Sequence, residues 1–143
     1  MIKELSVLLV EDDDVSAESV TRSLKKVSPD IDIIVAENGK VALDIIEDRI
    51  PDRLIKTPYI VLLDLNMPVM NGHEFLEEVR KSEKHNDLVV FVLTTSDDER
   101  DRNQAYHHHI AGYMVKSAVG PQFSKLSTLL LAYKHAIELS PRQ

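Results

Sequence analysis

The sequence predicts an α/β fold, a five-stranded parallel doubly wound sheet, and three observations carry that prediction. Five apolar runs of about strand length are rich in Val, Ile and Leu and mostly continuous rather than alternating, as strands covered on both faces should be. Segments with helical spacing lie between these runs. Strand and helix then alternate along the chain, which implies right-handed crossovers and helices on both faces of the sheet.

In order, the strands are read at Leu5–Val10, Ile31–Ala36, Tyr59–Leu63, Leu88–Leu93 and Ala111–Val115. Ala17, Val20, Leu24 and Val27 mark the first helix; Val41, Ala42, Ile45 and Ile46 the second; Phe75, Leu76 and Val79 the third. The fourth, about Asp97 to His109, has only Ala105 and Tyr106 as clear apolar residues before Ile110, and it is read as exposed. The last is the strongest, with Phe123, Leu126, Leu130, Tyr133 and Ile137 at steps of three and four. Arg49–Pro58, charged and holding two prolines, is a loop longer than the usual connection of about 2–6 residues. Asp13 or Asp14 should cap the first helix and Ser96 the fourth, and Asn71-Gly72 reads as a turn pair.

At 143 residues the chain fits one globular domain, so any output is expected to work through a partner. Its 17 basic and 24 acidic side chains leave a formal net charge of -7, which argues against nucleic-acid binding. There is no cysteine, which excludes disulfides, thiolate zinc sites and thiol catalysis and suits a cytoplasmic setting. No signal-length or membrane-length apolar run is present, so no membrane role is expected.

In open parallel sheets ligands bind beyond the carboxyl ends of the strands. The first strand ends in Glu11 and Asp12, the third in Asp64, the fourth in Thr94 and the fifth in Lys116, all on one edge. Three carboxylates drawn together repel unless a cation neutralises them, and a hard, oxygen-loving ion such as Mg²⁺ is the natural partner. With a lysine for charge and a threonine hydroxyl as donor, the set suggests phosphate chemistry, with Asp64 the best candidate for a carboxylate nucleophile.

At Leu8-Leu9-Val10-Glu11-Asp12, at Leu63-Asp64-Leu65-Asn66-Met67-Pro68-Val69-Met70-Asn71-Gly72, at Leu93-Thr94-Thr95-Ser96 and at Tyr113-Met114-Val115-Lys116, the sequence resembles the response-regulator receiver family. The thirty positions from Asp64 to Thr94 and the twenty-two from Thr94 to Lys116 match that family's spacing. The resemblance covers nearly the whole chain and implies a flavodoxin-like (βα)5 sheet with strand order 2-1-3-4-5, residues 1–143 forming a single receiver domain with no separate output domain. It implies that Asp64 is the phosphoacceptor, Asp12 a direct metal ligand, Glu11 a helper acting through water, and the Asn66 backbone carbonyl a further ligand, for Mg²⁺ or Mn²⁺. Thr94 and Lys116 would hold the phosphoryl oxygens. Thr94 and Tyr113 would form the switch pair, the ring turning inward behind the hydroxyl. A sensor histidine kinase would donate, and a downstream protein would read the changed face of the fourth helix and fifth strand.

The Leu-Thr-Thr-Ser stretch and the extended loop before Tyr59 look most like the single-domain regulators that serve bacterial and cyanobacterial phytochrome kinases. One departure stands out: Lys116 is followed by Ser117 where the family usually has a cis proline. A cis bond without proline costs roughly 2.5–4 kcal/mol, so this bond is either trans or cis under strain.

Each feature has a plainer reading beside it. The acids at 11–14 could be only a helix start, and Tyr113 could be ordinary core. His107-His108-His109 cannot converge on one ion from adjacent helical positions, so solvated histidines are expected there. Leu129 and Leu131 beside Leu130 widen the apolar face of the last helix, which leaves a homodimer open. Against a phosphorylatable switch stand an aspartyl-nucleophile phosphatase, which would want an acid where Asn66 stands, and a receiver that binds its partner constitutively.

Overall fold

The computed structural model describes residues 5–139. Strands β1 (Ser6–Val10), β2 (Asp32–Ala36), β3 (Tyr59–Leu63), β4 (Val90–Thr94) and β5 (Gly112–Val115) form one parallel sheet in the order β2-β1-β3-β4-β5. Helices α1 (Asp14–Val27), α2 (Gly39–Ile46), α3 (Gly72–Lys81), α4 (Glu99–His107) and α5 (Ser124–Ala136) connect and follow them. This is the doubly wound order anticipated above.

Side chains along each central strand point alternately to two cores. Leu8 and Val10 of β1, Val61 and Leu63 of β3, and Val90 and Val92 of β4 pack with α2, α3 and Ala105 of α4. Val7 and Leu9, Ile60 and Leu62, and Phe91 and Leu93 pack instead with α1 and α5. β1, β3 and β4 are accordingly buried throughout. The edge strands β2 and β5 are mostly half-buried, so the expectation of two covered faces holds only for the three central strands.

Helix boundaries follow their caps. Asp13 caps α1, its side chain accepting from the Ser16 N–H. Asn71 caps α3 through a reciprocal capping box with Glu74, so Asn71-Gly72 opens a helix and is not a free turn. Asp98, not Ser96, caps α4 by accepting from the Arg100 N–H; Ser96 lies two residues earlier, its Oγ accepting from the Asp98 N–H and donating to Asp101. α5 is shorter than its periodicity suggests. Phe123 takes a left-handed conformation just before it, and Ile137 lies past its end, exposed. Leu130 is buried while Leu129 is 41% exposed, so the widened leucine face does put apolar surface outward.

Between α2 and β3 the loop sends Ile50 and Ile55 back against the first core, which gives a long connection fixed points of attachment. On the far side, Arg80 of α3 donates to the carbonyls of His108 (2.7 Å), Asn86 (2.9 Å), Leu88 (2.8 Å) and His109 (3.1 Å). One guanidinium thereby fastens α3 to the loops that lead into β4 and β5. No helix among the described residues is long and apolar enough to cross a membrane.

Candidate functional site at the strand ends

The parallel register sets the site. Val10 lies opposite Leu63 and Thr94 opposite Val115, so Glu11, Asp64, Thr94 and Lys116 gather at one edge of the sheet. The ladder continues one residue past the strands, Glu11 N–H donating to the Ala36 carbonyl at 2.9 Å and Asp64 N–H to that of Val10 at 3.0 Å. Both acidic residues therefore sit on ordered backbone.

Glu11, Asp12 and Asp64 each bring a carboxylate oxygen within 4.8 Å of the others. Glu11 and Asp64 are buried, whereas Asp12 is exposed. Lys116 Nζ donates to Glu11 Oε2 at 2.6 Å, lies 3.4 Å from Ser16 Oγ and stands 3.6 Å from Asp64 Oδ2. Burial pushes the Glu11 carboxyl up to about 7; the charge of Asp64 adds to the rise and the Lys116 ammonium opposes it. Two buried acids with a third at their open side form an all-oxygen donor set short of positive charge, which fits a hard divalent cation. Among the described residues the His107–His109 run joins no such cluster; His107 and His109 are exposed.

The remaining expected residues surround this set. The backbone N–H of exposed Asn66 donates to Asp64 Oδ1 at 3.4 Å. Thr94 is fully buried, and its Oγ1 accepts from the Ser96 N–H at 3.4 Å. The ring of Tyr113 is half-buried against the first core, and its hydroxyl donates to the Ser96 carbonyl at 2.8 Å. The Lys116–Ser117 bond is trans, the cis peptide among the described residues being Thr57–Pro58. Lys116 opens a single 3-10 turn, Lys116–Ala118, and its long side chain still reaches both buried acids.

Two neighbours of the site have contacts that sequence reasoning did not foresee. Ser16, in the first turn of α1, accepts from the Lys116 ammonium through its hydroxyl oxygen, and nothing in its local pattern marks it. Gly72 lets α3 approach the backbone of Asp64: a Cβ there would stand 2.6 Å from the Asp64 carbonyl oxygen and 2.8 Å from Leu65 Cα.

Comparison with known proteins agrees with this geometry. The family model of the response regulator receiver domain matches residues 7–126. The chain is 35% identical over 111 residues, 77% of its length, to the probable methanogenesis regulatory protein FilR2 of Methanothrix harundinacea (strain 6Ac), of which 70% is covered. It is 32% identical over 111 residues to response regulator Rcp1 of Synechocystis, covering 78% of this chain and 76% of Rcp1. The Mn(2+)-bound structure of Rcp1 superposes with a TM-score of 0.80 at 27% identity, over 95% of this chain and 98% of that one. The phosphorylated cyanobacterial phytochrome response regulator RcpA shares the fold, with a TM-score of 0.84 at 24% identity over 97% and 99% of the two chains. Sheet order, strand-end chemistry and family match agree, and the chain belongs to the receiver domains of two-component response regulators.

Proposed function

We propose that this receiver is switched by transfer of a phosphoryl group from a histidine kinase to Asp64, with Mg²⁺ or Mn²⁺ held by Asp12, Asp64, the Asn66 carbonyl and, through water, Glu11. One observation carries the reading: three carboxylates from two strand ends converge while the ammonium of Lys116 stands 3.6 Å from an Asp64 oxygen. A divalent cation would offset the negative charge of the incoming group.

In the transfer, an Asp64 carboxylate oxygen attacks phosphorus, the new O–P bond forms, and the N–P bond to the donor imidazole breaks. Lys116 can swing from Glu11 to a phosphoryl oxygen with little displacement, since Asp64 lies beside its present partner. The Thr94 hydroxyl lies buried at the neighbouring strand end, where it can donate to a second phosphoryl oxygen. Exposed Asn66 has an amide that cannot exchange a proton as a carboxylate does, which favours a switch over repeated turnover on phosphomonoesters.

Likeness to the bacteriophytochrome response regulators RtBRR and AtBRR, at 28% and 27% identity, together with the Leu-Thr-Thr-Ser stretch, supports a phytochrome-type kinase as donor, with a downstream protein as listener. The test is intact mass after incubation with acetyl phosphate. Wild type with Mg²⁺ should gain one phosphoryl group, and Asp64→Asn or wild type with chelator should not. A gain that survives Asp64→Asn would overturn the assignment.

A further inference from the structure

Outside the phosphoryl site, one polar chain links α3 to the segment that follows Thr94. His73 Nε2 of α3 lies 3.1 Å from Asp101 Oδ1 of α4, and the other oxygen of Asp101 accepts from Ser96 Oγ at 2.6 Å. The Ser96 carbonyl in turn accepts the Tyr113 hydroxyl at 2.8 Å, and the Ser96 N–H donates to Thr94 Oγ1 at 3.4 Å. A single serine thus touches both members of the expected switch pair, and Asp101 fixes that serine.

The Ser96 hydroxyl, and then His73, hold the Asp101 carboxyl below the usual carboxylate range, so the ionised group accepts from both. His73 Nε2 is therefore the donor to Asp101. Its other ring nitrogen, Nδ1, is buried with no hydrogen-bond partner. The bond to Asp101 is therefore the hydrogen bond that sets how the ring sits.

We infer that His73 and Asp101 are positioning residues for the switch, a latch that holds Ser96, and through it Tyr113, in the inward arrangement that a phosphoryl group on Asp64 selects. The inference rests on the receiver reading above and adds a residue of α3 to the switch. With the latch closed, the loop is already ordered when the phosphoryl group arrives. With it broken, only a fraction of molecules hold the competent arrangement, and apparent affinity for a phosphoryl mimic falls by that fraction.

The experiment is a beryllofluoride titration of the full chain at saturating Mg²⁺, followed by fluorine NMR because the chain has no tryptophan to report binding. His73→Leu, which removes the donor, and Ser96→Ala, which frees the loop without touching α3, should each weaken binding about three- to tenfold. The double variant should bind no worse than the weaker single one, since both cut the same chain. His73→Gln, whose amide nitrogen replaces Nε2 and removes the orphaned Nδ1, should bind within about twofold of wild type. Variants that all match wild type, losses that multiply in the double variant, or a His73→Gln as poor as His73→Leu would each overturn the latch and leave the receiver reading standing. A wild type that takes up no beryllofluoride would overturn both.

Discussion

Replacing Glu11 with Gln should remove a loss of stability that the metal-free protein suffers as the pH rises from about 4.5 to about 7. The cause is the position of Glu11, buried at the end of β1 beside Asp64. Its folded-state pKa of about 7, against an ordinary value of 4.5, means that the folded protein holds this proton more tightly than the unfolded chain does. Between those two values the native state binds more protons, so unfolding free energy falls with rising pH; the contribution is fully present below about pH 4.5 and gone above about pH 7. At about 1.4 kcal/mol per pH unit the whole loss is about 3 kcal/mol. Urea unfolding in chelator at half-unit intervals from pH 4 to 8, followed by far-ultraviolet circular dichroism, gives the two curves. Carboxyls held low by their partners, such as Asp44 and Asp101, are common to both proteins, so the difference in slope isolates Glu11. Added Mg²⁺ should restore stability to wild type at neutral pH, because a cation relieves the same repulsion. Parallel stability curves for wild type and Glu11→Gln would refute the reasoning, whatever the offset between them.

Three further outcomes follow from the packing. Gly72→Ala sets a Cβ 2.6 Å from the Asp64 carbonyl oxygen. It should cost about 1–3 kcal/mol in urea unfolding and slow phosphoryl uptake; an unchanged midpoint and rate would show that α3 can retreat freely. Arg80→Met removes the donor to the carbonyls of Asn86, Leu88, His108 and His109, and should cost about 2–3 kcal/mol by the same assay. Val69 sits at φ 69° and is 80% exposed, so its β-branched side chain adds strain and buries little. Val69→Asn should therefore gain about 1 kcal/mol, and a loss would show that the valine packs against something in solution.

Much of this molecule is legible in its sequence for one reason: a parallel sheet writes its interior as unbroken apolar runs. The runs of β1, β3 and β4 announce themselves that way, and Glu11, Asp12, Asp64 and Thr94 are found by reading where they end. The edges read less well, because β2 is as Val- and Ile-rich as a central strand yet mostly half-buried, and β5, Gly-Tyr-Met-Val, is half-buried throughout. Leu88 and Val89 extend the fourth apolar run, yet Leu88 lies in the core as loop, its N–H bonded to the His85 carbonyl before β4 begins. Ser96 and Asp98 are both good cap formers two residues apart. The helix starts at Glu99, so Asp98 takes the Arg100 N–H while Ser96 Oγ accepts only from the Asp98 N–H, and which of the two stands next to the first turn cannot be read from either residue. Ser16 and His73 were silent, and the close packing at Gly72 went unread, for a related reason. Their roles arise where one element approaches another, and no local spacing records that approach. The missing proline after Lys116 left the bond either trans or cis under strain; it is trans, and the side chain is long enough to reach Glu11 and Asp64 from that backbone.

The central claim is that Asp64 itself carries the phosphoryl group. Treating the acetyl-phosphate product with borohydride reduces an aspartyl phosphate to homoserine, and peptide mapping then locates it. Homoserine at position 64, present only when Mg²⁺ or Mn²⁺ was supplied, is the predicted result. Homoserine at Asp12 or another acid, or none in protein whose intact mass shows a phosphoryl group, would contradict the account.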